Sequence, residues 1–233
     1  MTVIRELDVT LDAEDAKAFP GLYCRGLGHE RMLAVVPDII DDVESGQLIS
    51  PGIVYNIVDI ARKELGTLTL ADGSQLTSPL LAHRMSGASR LAFIVVTIGD
   101  GVAGYISDLH AADELVKAFV SEEIANAYLF DVSSHVEVLI EEAATADGMQ
   151  VSGPLSPGDE GFPMELQSQV LALAGAKEIG IELSEASMMR PRFSISIVIG
   201  LGKRMHKWSQ LDNCAVCASR DSCRHRKAAE AMA

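Results

Sequence analysis

Hydrophobic residues recur at helical spacing in three parts of the chain. Residues 27–45 and residues 164–176 place apolar side chains three or four positions apart, as the buried face of a helix requires. Residues 101–146 continue this pattern far enough for two long helices or one broken helix. Pro37 lies inside the first segment, and we expect it to kink or divide that helix because proline cannot donate a backbone hydrogen bond.

Shorter apolar segments predict strands between these helices. Residues 91–98 form a continuous apolar run, which is typical of a strand buried on both faces. Asp72-Gly73 separates two short segments and favours the tight turn of a β-hairpin. Residues 53–60 are rich in β-branched side chains and fit either a strand or a helix, whereas residues 181–183 and 193–199 predict two short strands. Because helices and strands occur in runs without strict alternation, the pattern predicts an α+β fold.

Length and composition narrow the class of protein. The chain has 233 residues, of which 48% are hydrophobic, so it can bury a core of its own. It contains no uncharged apolar run of about 18 residues, so we expect no membrane-spanning segment. The first residues lack the charged-then-apolar order of a signal peptide, and the few cysteines are clustered rather than spread as in a disulfide framework. These features predict a cytoplasmic protein.

Charge separates an acidic body from a basic end. The whole chain carries −14, whereas residues 202–233 hold seven Lys and Arg against three Asp and Glu. The sequence thus predicts an N-terminal helical and hairpin region (1–90), a core (91–201) and a basic tail with cysteines (202–233). This tail has one aromatic residue, Trp208, which together with the acidic body argues against a nucleic-acid partner. The acids of the long helical segment are expected to form a solvated face, and they are Glu122, Glu123, Glu137, Glu141 and Glu142.

Three of the four cysteines lie close together in the tail. They are Cys214, Cys217 and Cys223, spaced C-x2-C-x5-C, and the fourth is Cys24. Short spacing in a polar segment is how thiolates are gathered around zinc or an iron–sulfur cluster. A closed site needs a further ligand, and the candidates are Cys24, His206 and His225; a site with an open fourth position is the alternative. A labile disulfide between Cys214 and Cys217, or three free thiols, are the alternatives that the sequence leaves open.

Short segments in the second half of the chain follow the order and spacing of a known family. They are the Ser156-Pro157-Gly158 loop, a helix, Ile179–Glu185, Met189–Pro191 and Phe193–Ser196. Together they resemble the activation domain of cobalamin-dependent methionine synthase, most strongly over residues 150–200 and more weakly over residues 90–150. The resemblance implies a fold in which helices pack on a mainly antiparallel twisted sheet.

The same resemblance implies a function in corrinoid chemistry. Such domains bind S-adenosylmethionine at the Pro-Gly loop and dock on the protein that holds the corrinoid. After accidental oxidation of the cobalt to Co(II), an electron donor such as flavodoxin or ferredoxin reduces it, and a methyl group then traps the Co(I). The candidate ligand-binding residues of this chain are Pro157, Gly158, Asp159, Glu185 and Arg190.

Two positions depart from the family pattern. The family has an arginine three residues before the proline of the loop and a tyrosine after its glycine, where this chain has Pro154 and Asp159. Proline cannot clamp the ligand carboxylate as arginine does, and an aspartate would repel it. Arg190 and Arg192 are the candidates to replace that arginine.

The sequence supports three functions of different classes. The first is an accessory protein for the reductive reactivation of a corrinoid-dependent methyltransferase, with an iron–sulfur cluster in the tail that passes the electron. The second is a non-enzymatic partner-binding protein of the same fold with structural zinc. The third is an S-adenosylmethionine-binding methyltransferase that acts without a corrinoid.

Overall fold

The structure is a computed structural model in which an antiparallel sheet forms the centre. It describes residues 1–17, 22, 27–159, 161–208, 212, 213, 215, 217 and 220–222. The strands of the large sheet are β1 (Thr2–Ile4), β2 (Gly52–Glu64), β3 (Thr67–Leu70), β4 (Gln75–Thr77), β5 (Arg90–Thr97) and β6 (Gln150–Val151), with β9 (Ser194–Gly202) near the end of the chain. A separate hairpin consists of β7 (Glu182–Leu183) and β8 (Met189–Arg190).

Strand order places β5 in the middle of the sheet. The order is β4-β3-β2-β5-β9-β6, and β1 pairs with the first part of β2. Every pairing is antiparallel. The expected α+β fold with a mainly antiparallel sheet is therefore confirmed.

Helices cover this sheet, and most were expected from the spacing of apolar residues. They are α1 (Ala13–Lys17), α2 (Leu27–Ser45), α3 (Pro79–Arg84), α4 (Gly101–Ala111), α5 (Leu115–Ala146) and α6 (Gln167–Ala174). Helix α2 has the predicted bounds and continues through Pro37. The segment 101–146 forms two helices rather than one, and 3₁₀ turns flank α6 at Met164–Leu166 and Ala176–Ile179.

The ambiguous segment 53–60 is a strand because it has a long partner. Within β2, eight residues from Gly52 to Asp59 pair in continuous register with β5, from Thr97 to Arg90. The predicted hairpin at Asp72-Gly73 is also confirmed, since β3 and β4 pair directly across that turn. Gly73 has a φ of +88°, which a glycine adopts without strain.

Alternation along β5 divides the interior into two cores. Ile94 points into a core that α2, α4 and α5 cover, whereas the neighbouring Phe93 points into a core with α3, α6 and the loop after β6. Both side chains have no exposed surface. The Pro-Gly loop therefore packs on the α3 and α6 side of the sheet, away from the long helices.

One expectation for α5 was wrong. Glu123 is only 1% exposed instead of lying on a solvated face. Residues 120–129 of this helix are almost entirely covered, because α2 and α4 both pack against α5. Burial also raises the pKa of Glu137 further along the helix.

A membrane-spanning helix must be both long and apolar. In the described part of the chain, no helix combines the necessary length with the necessary apolar character.

Candidate functional site

A cleft of about 150 Å³ lies between the Pro-Gly loop and β9. It is lined by Ser156–Pro157, Met164, Gln167, Ser187–Met189 and Ser194–Ser196. Its walls thus come from the loop, the start of α6, the β7–β8 hairpin and β9. Four of the five segments that carry the family resemblance contribute residues to this one place, although they are up to 40 residues apart in sequence. None of the lining residues carries a charge.

Hydrogen bonds within the loop hold Pro157 and Gly158 in a tight turn. Asp159 Oδ2 accepts a hydrogen bond from the Ser156 backbone N–H at 2.8 Å, and the Asp159 N–H donates to the Ser156 carbonyl at 2.9 Å. The Gly158 N–H donates to the Phe162 carbonyl at 2.8 Å. Gly158 has a φ of +100°, so its position in the turn favours glycine.

Asp159 serves this turn rather than the cleft. Its carboxylate returns to the Ser156 N–H, and it is not among the residues that line the cleft. Burial raises the pKa of Asp159, while the hydrogen bond from Ser156 and the nearby Arg84 guanidinium oppose that shift.

Contacts on both sides of the turn fix the loop to the body of the protein. Before it, Leu155 and Val198 of β9 exchange two backbone hydrogen bonds at 3.1 and 2.7 Å. After it, Ser78 Oγ donates to the Gly161 carbonyl at 2.8 Å, and the same hydroxyl caps α3 by accepting from the Leu81 N–H. The loop therefore has a defined position relative to β9, the opposite wall of the cleft.

The β9 wall contains a buried polar pair that sequence analysis missed. Ser196 Oγ donates to Gln167 Oε1 at 3.2 Å, and the two residues are only 2% and 4% exposed. Gln167 Nε2 has no hydrogen-bond partner among the described residues. One sequence signal was present, because Gln167 occupies the apolar stripe that Val170, Leu171 and Ala174 continue along α6.

Methionines form the rim of the cleft. Met164 and Met188 are 46% and 66% exposed, although both side chains are large and apolar. Met189 lies beside them at the start of β8 and is partly buried. Flexible thioether side chains of this kind adapt to flat or irregular apolar surfaces.

The predicted ligand-binding residues lie in two groups. Pro157 lines the cleft, and Gly158 and Asp159 follow it in the same turn. Glu185 and Arg190 are exposed on the β7–β8 hairpin and do not line the cleft. Their participation in ligand binding stays a prediction.

Arg192, the other candidate clamp, is held elsewhere. Its guanidinium forms an ion pair with Glu122 at 2.9 Å and lies over the Phe193 ring. The Arg190 side chain, by contrast, has no ion pair or hydrogen bond among the described residues, so its charge is available to a ligand.

The tail packs against Pro154, at the position where the family has its arginine. The Pro154 carbonyl accepts hydrogen bonds from Trp208 Nε1 at 3.1 Å and from Asn213 Nδ2 at 3.0 Å. Arg84 donates to Asn213 Oδ1 and stacks on the Trp208 ring, with 4.8 Å from the guanidinium carbon to the ring centroid. A Cβ at position 153 would lie 2.1 Å from the Trp208 carbonyl oxygen. Only glycine at this position therefore allows Trp208 to come so close to the backbone.

Of the four cysteines predicted to bind metal, the structure describes one. Cys217 carries a free, partly buried thiol four residues after Asn213. Cys24, Cys214 and Cys223 lie outside the described residues, as does His225. Within the described part of the chain, no group of three metal-ligating side chains occurs. An iron–sulfur cluster or zinc in the tail therefore stays a prediction.

Comparison with known proteins supports the fold. No protein-family model matches the chain, and no curated protein matches its sequence. Among solved structures, the crystal structure of the MetH reactivation domain bound to AdoHcy matches with a TM-score of 0.61 and 12% sequence identity. The match covers 99% of this chain and 89% of that one. The chain therefore has the fold of the MetH reactivation domain along nearly its whole length.

Proposed function

We propose that this chain is an accessory protein for the reductive reactivation of a corrinoid-dependent methyltransferase. One observation carries the proposal: a fold like that of the MetH reactivation domain extends over 99% of the chain. The cleft adds support, because it is built from the same loop, hairpin and strand that carry the sequence resemblance. The ligand proposed for this cleft is S-adenosylmethionine, or AdoHcy after methyl transfer.

The chemistry proposed for the complex couples two steps. One electron that originates from an external donor, flavodoxin or ferredoxin, would reduce Co(II) in the partner protein to Co(I). The Co(I) electron pair then attacks the methyl carbon of S-adenosylmethionine, the carbon–sulfur bond breaks, and methyl-Co(III) and AdoHcy result. Because the second step is favourable, it draws the unfavourable reduction forward.

In that reaction, this chain would bind and orient S-adenosylmethionine. Pro157 and Gly158 shape the loop, and Leu155 fixes it to β9. We propose that Arg190 binds the carboxylate of the ligand, because Arg192 is already paired with Glu122 and Pro154 carries no charge. We propose that Glu185, exposed on the same hairpin, binds the ligand amine.

The exposed rim suits the partner in this proposal. Met164 and Met188 are apolar side chains at the mouth of a ligand cleft, and burying them against a second protein removes that surface from water. An accessory protein must dock and release, and adaptable methionine side chains serve transient interfaces of this kind.

In this proposal, the cysteines of the tail hold the group that carries the electron. We propose that Cys214, Cys217 and Cys223, with Cys24 or a histidine, hold an iron–sulfur cluster, and that zinc is the alternative. Trp208 and Asn213 support this arrangement, because both precede Cys214 in sequence and bind the Pro154 carbonyl, three residues before Pro157.

Two measurements test the function. Isothermal titration of AdoHcy into the anaerobically purified protein shows whether the ligand binds.

The protein is then added to a cobalamin-dependent methionine synthase that lacks its own activation domain, with its cobalt as Co(II), in the presence of titanium(III) citrate and S-adenosylmethionine. The proposal expects the methyl-Co(III) spectrum to form faster with this protein than without it. Binding of AdoHcy without any effect on the corrinoid would favour the methyltransferase alternative, and no binding with zinc present would favour the partner-binding alternative.

A further inference from the structure

We infer that Gln167 is the residue that selects the nucleoside part of the ligand in the cleft. This inference rests on the proposed function for the identity of the ligand and goes beyond it by naming the part that enters the cleft and the residue that recognises it.

Size is the first argument. The cleft encloses about 150 Å³, whereas sites that bury a whole drug-sized ligand have about 300 Å³ or more. It therefore takes one part of a ligand such as AdoHcy and leaves the rest outside.

Charge decides which part enters. The residues that line the cleft are serines, methionines, a proline, an isoleucine and a glutamine. The amino-acid end of AdoHcy carries a carboxylate and an ammonium group, and each loses hydration without an opposite charge in such a place. The adenosine end is neutral, so an uncharged cleft selects adenosine. The charged end then lies toward the hairpin, where Arg190 and Glu185 are exposed.

Gln167 supplies the recognition group. Its side chain is 4% exposed and lines the cleft, and its Oε1 is held by Ser196 Oγ at 3.2 Å. That bond orients the amide and leaves Nε2, with two N–H donors, without a partner among the described residues. Nε2 is not one of the fully buried atoms that lack a partner, so it is accessible from the cleft, where the ring nitrogens of adenine are acceptors that it can meet.

Methionines complete the match to a flat heterocycle. Met164 and Met189 both line the cleft, one from the turn before α6 and the other from β8. Thioether sulfur makes favourable contacts with aromatic rings. Donors from Gln167 and thioether contacts together favour a purine over an aliphatic group.

The test compares fragments of the ligand. AdoHcy, adenosine and L-homocysteine are titrated into wild type, Gln167→Leu and Gln167→Glu. The control is Gln169→Leu, which changes the same residue type in the same helix but outside the cleft, where its Nε2 donates to the Gln75 carbonyl. Gln167→Glu keeps an acceptor for Ser196 and so remains informative if Gln167→Leu fails to fold.

We expect AdoHcy and adenosine to bind wild type and Gln169→Leu, and to bind both Gln167 variants about tenfold more weakly. Equal affinity of AdoHcy for wild type and the Gln167 variants would overturn the inference and leave the proposed function intact. Tighter binding of L-homocysteine than of adenosine to wild type would overturn it as well. If adenosine binds through Gln167 but AdoHcy does not bind, the inferred adenosine subsite would be upheld. The same result would count against the proposed function. Failure of every fragment to bind would overturn both.

Discussion

Trp208 donates its indole N–H to the Pro154 carbonyl at 3.1 Å, across 54 residues of sequence. Asn213 Nδ2 donates to the same oxygen at 3.0 Å, so one carbonyl receives two bonds from the tail. In the family that this loop resembles, the position of Pro154 holds an arginine. In this chain the Pro154 carbonyl instead binds Trp208 and Asn213 of the tail.

Gly153→Ala should displace the tail. The added Cβ would lie 2.1 Å from the Trp208 carbonyl and 2.5 Å from its ring, which is closer than any real contact. Trp208 is the only tryptophan, so its fluorescence reports the change directly. We expect red-shifted emission and stronger quenching by acrylamide. Gly104→Ala is the control, because a Cβ there meets nothing within 4 Å, and in α4 it should stabilise the protein by about 0.5–1 kcal/mol. Unchanged emission in Gly153→Ala would mean that the tail is not held by this contact.

Gly158→Ala should weaken AdoHcy binding. Its φ of +100° is strained for alanine, and the new Cβ would lie 2.8 Å from Met164 Cε at the cleft. We expect a loss of about tenfold in affinity by titration calorimetry. Gly73→Ala is the matched control, with a φ of +88° in the β3–β4 turn and nothing within 4 Å of the added Cβ. Both variants should lose about 1–2 kcal/mol of stability. Equal affinities in the two variants would place the ligand away from this loop.

Asp159→Asn should flatten the dependence of stability on pH. Burial raises the pKa of Asp159 above its ordinary value, so the native state binds a proton more tightly than the unfolded state does. Stability is therefore lost as the pH rises from the ordinary aspartate pKa, about 3.9, through the raised value. Asparagine keeps an acceptor for the Ser156 N–H and does not ionise. Urea unfolding of both proteins from pH 3.5 upward measures the free energy of unfolding at each pH. Parallel curves for the two proteins would show that ionisation of Asp159 does not cause the pH dependence.

Cys217→Ser should reduce the metal content of the protein. We expect anaerobically purified wild type to contain iron with acid-labile sulfide in similar amounts and to absorb near 400 nm, roughly where iron–thiolate charge transfer occurs. The variant should lose both iron and sulfide. Zinc in place of iron would make the site structural, and equal metal content in both proteins would remove Cys217 from the ligands.

Local sequence patterns predicted the elements whose stability is local. The Asp72-Gly73 turn, the apolar run that became β5 and the spacing in α2 each carry their signal within a few residues. Residues 53–60 were ambiguous because their strand form depends on β5, which begins 30 residues later. Pairing over that distance leaves no local trace in the sequence.

Some contacts of the candidate site cannot be predicted from the sequence either, because they join segments that are far apart along the chain. Pro157 was predicted from its loop, whereas the contact of Trp208 with Pro154 depends on how the tail returns to the fold. Charge alone predicts that Glu123 is exposed to solvent, and only the packing of α2 and α4 shows that it is covered. Gln167 carries a sequence signal of its own, because it is a polar residue in an apolar helical stripe.

The central position of β5 has a consequence for hydrogen exchange. Its amides pair with β2 on one side and β9 on the other, and both faces are covered. Their protons can reach water only when the whole sheet opens, so their exchange reports global unfolding. The Gly158 amide bonds only within its own turn, to Phe162, and its exchange reports local opening. Comparing the two rates would show how often the cleft opens while the sheet stays intact.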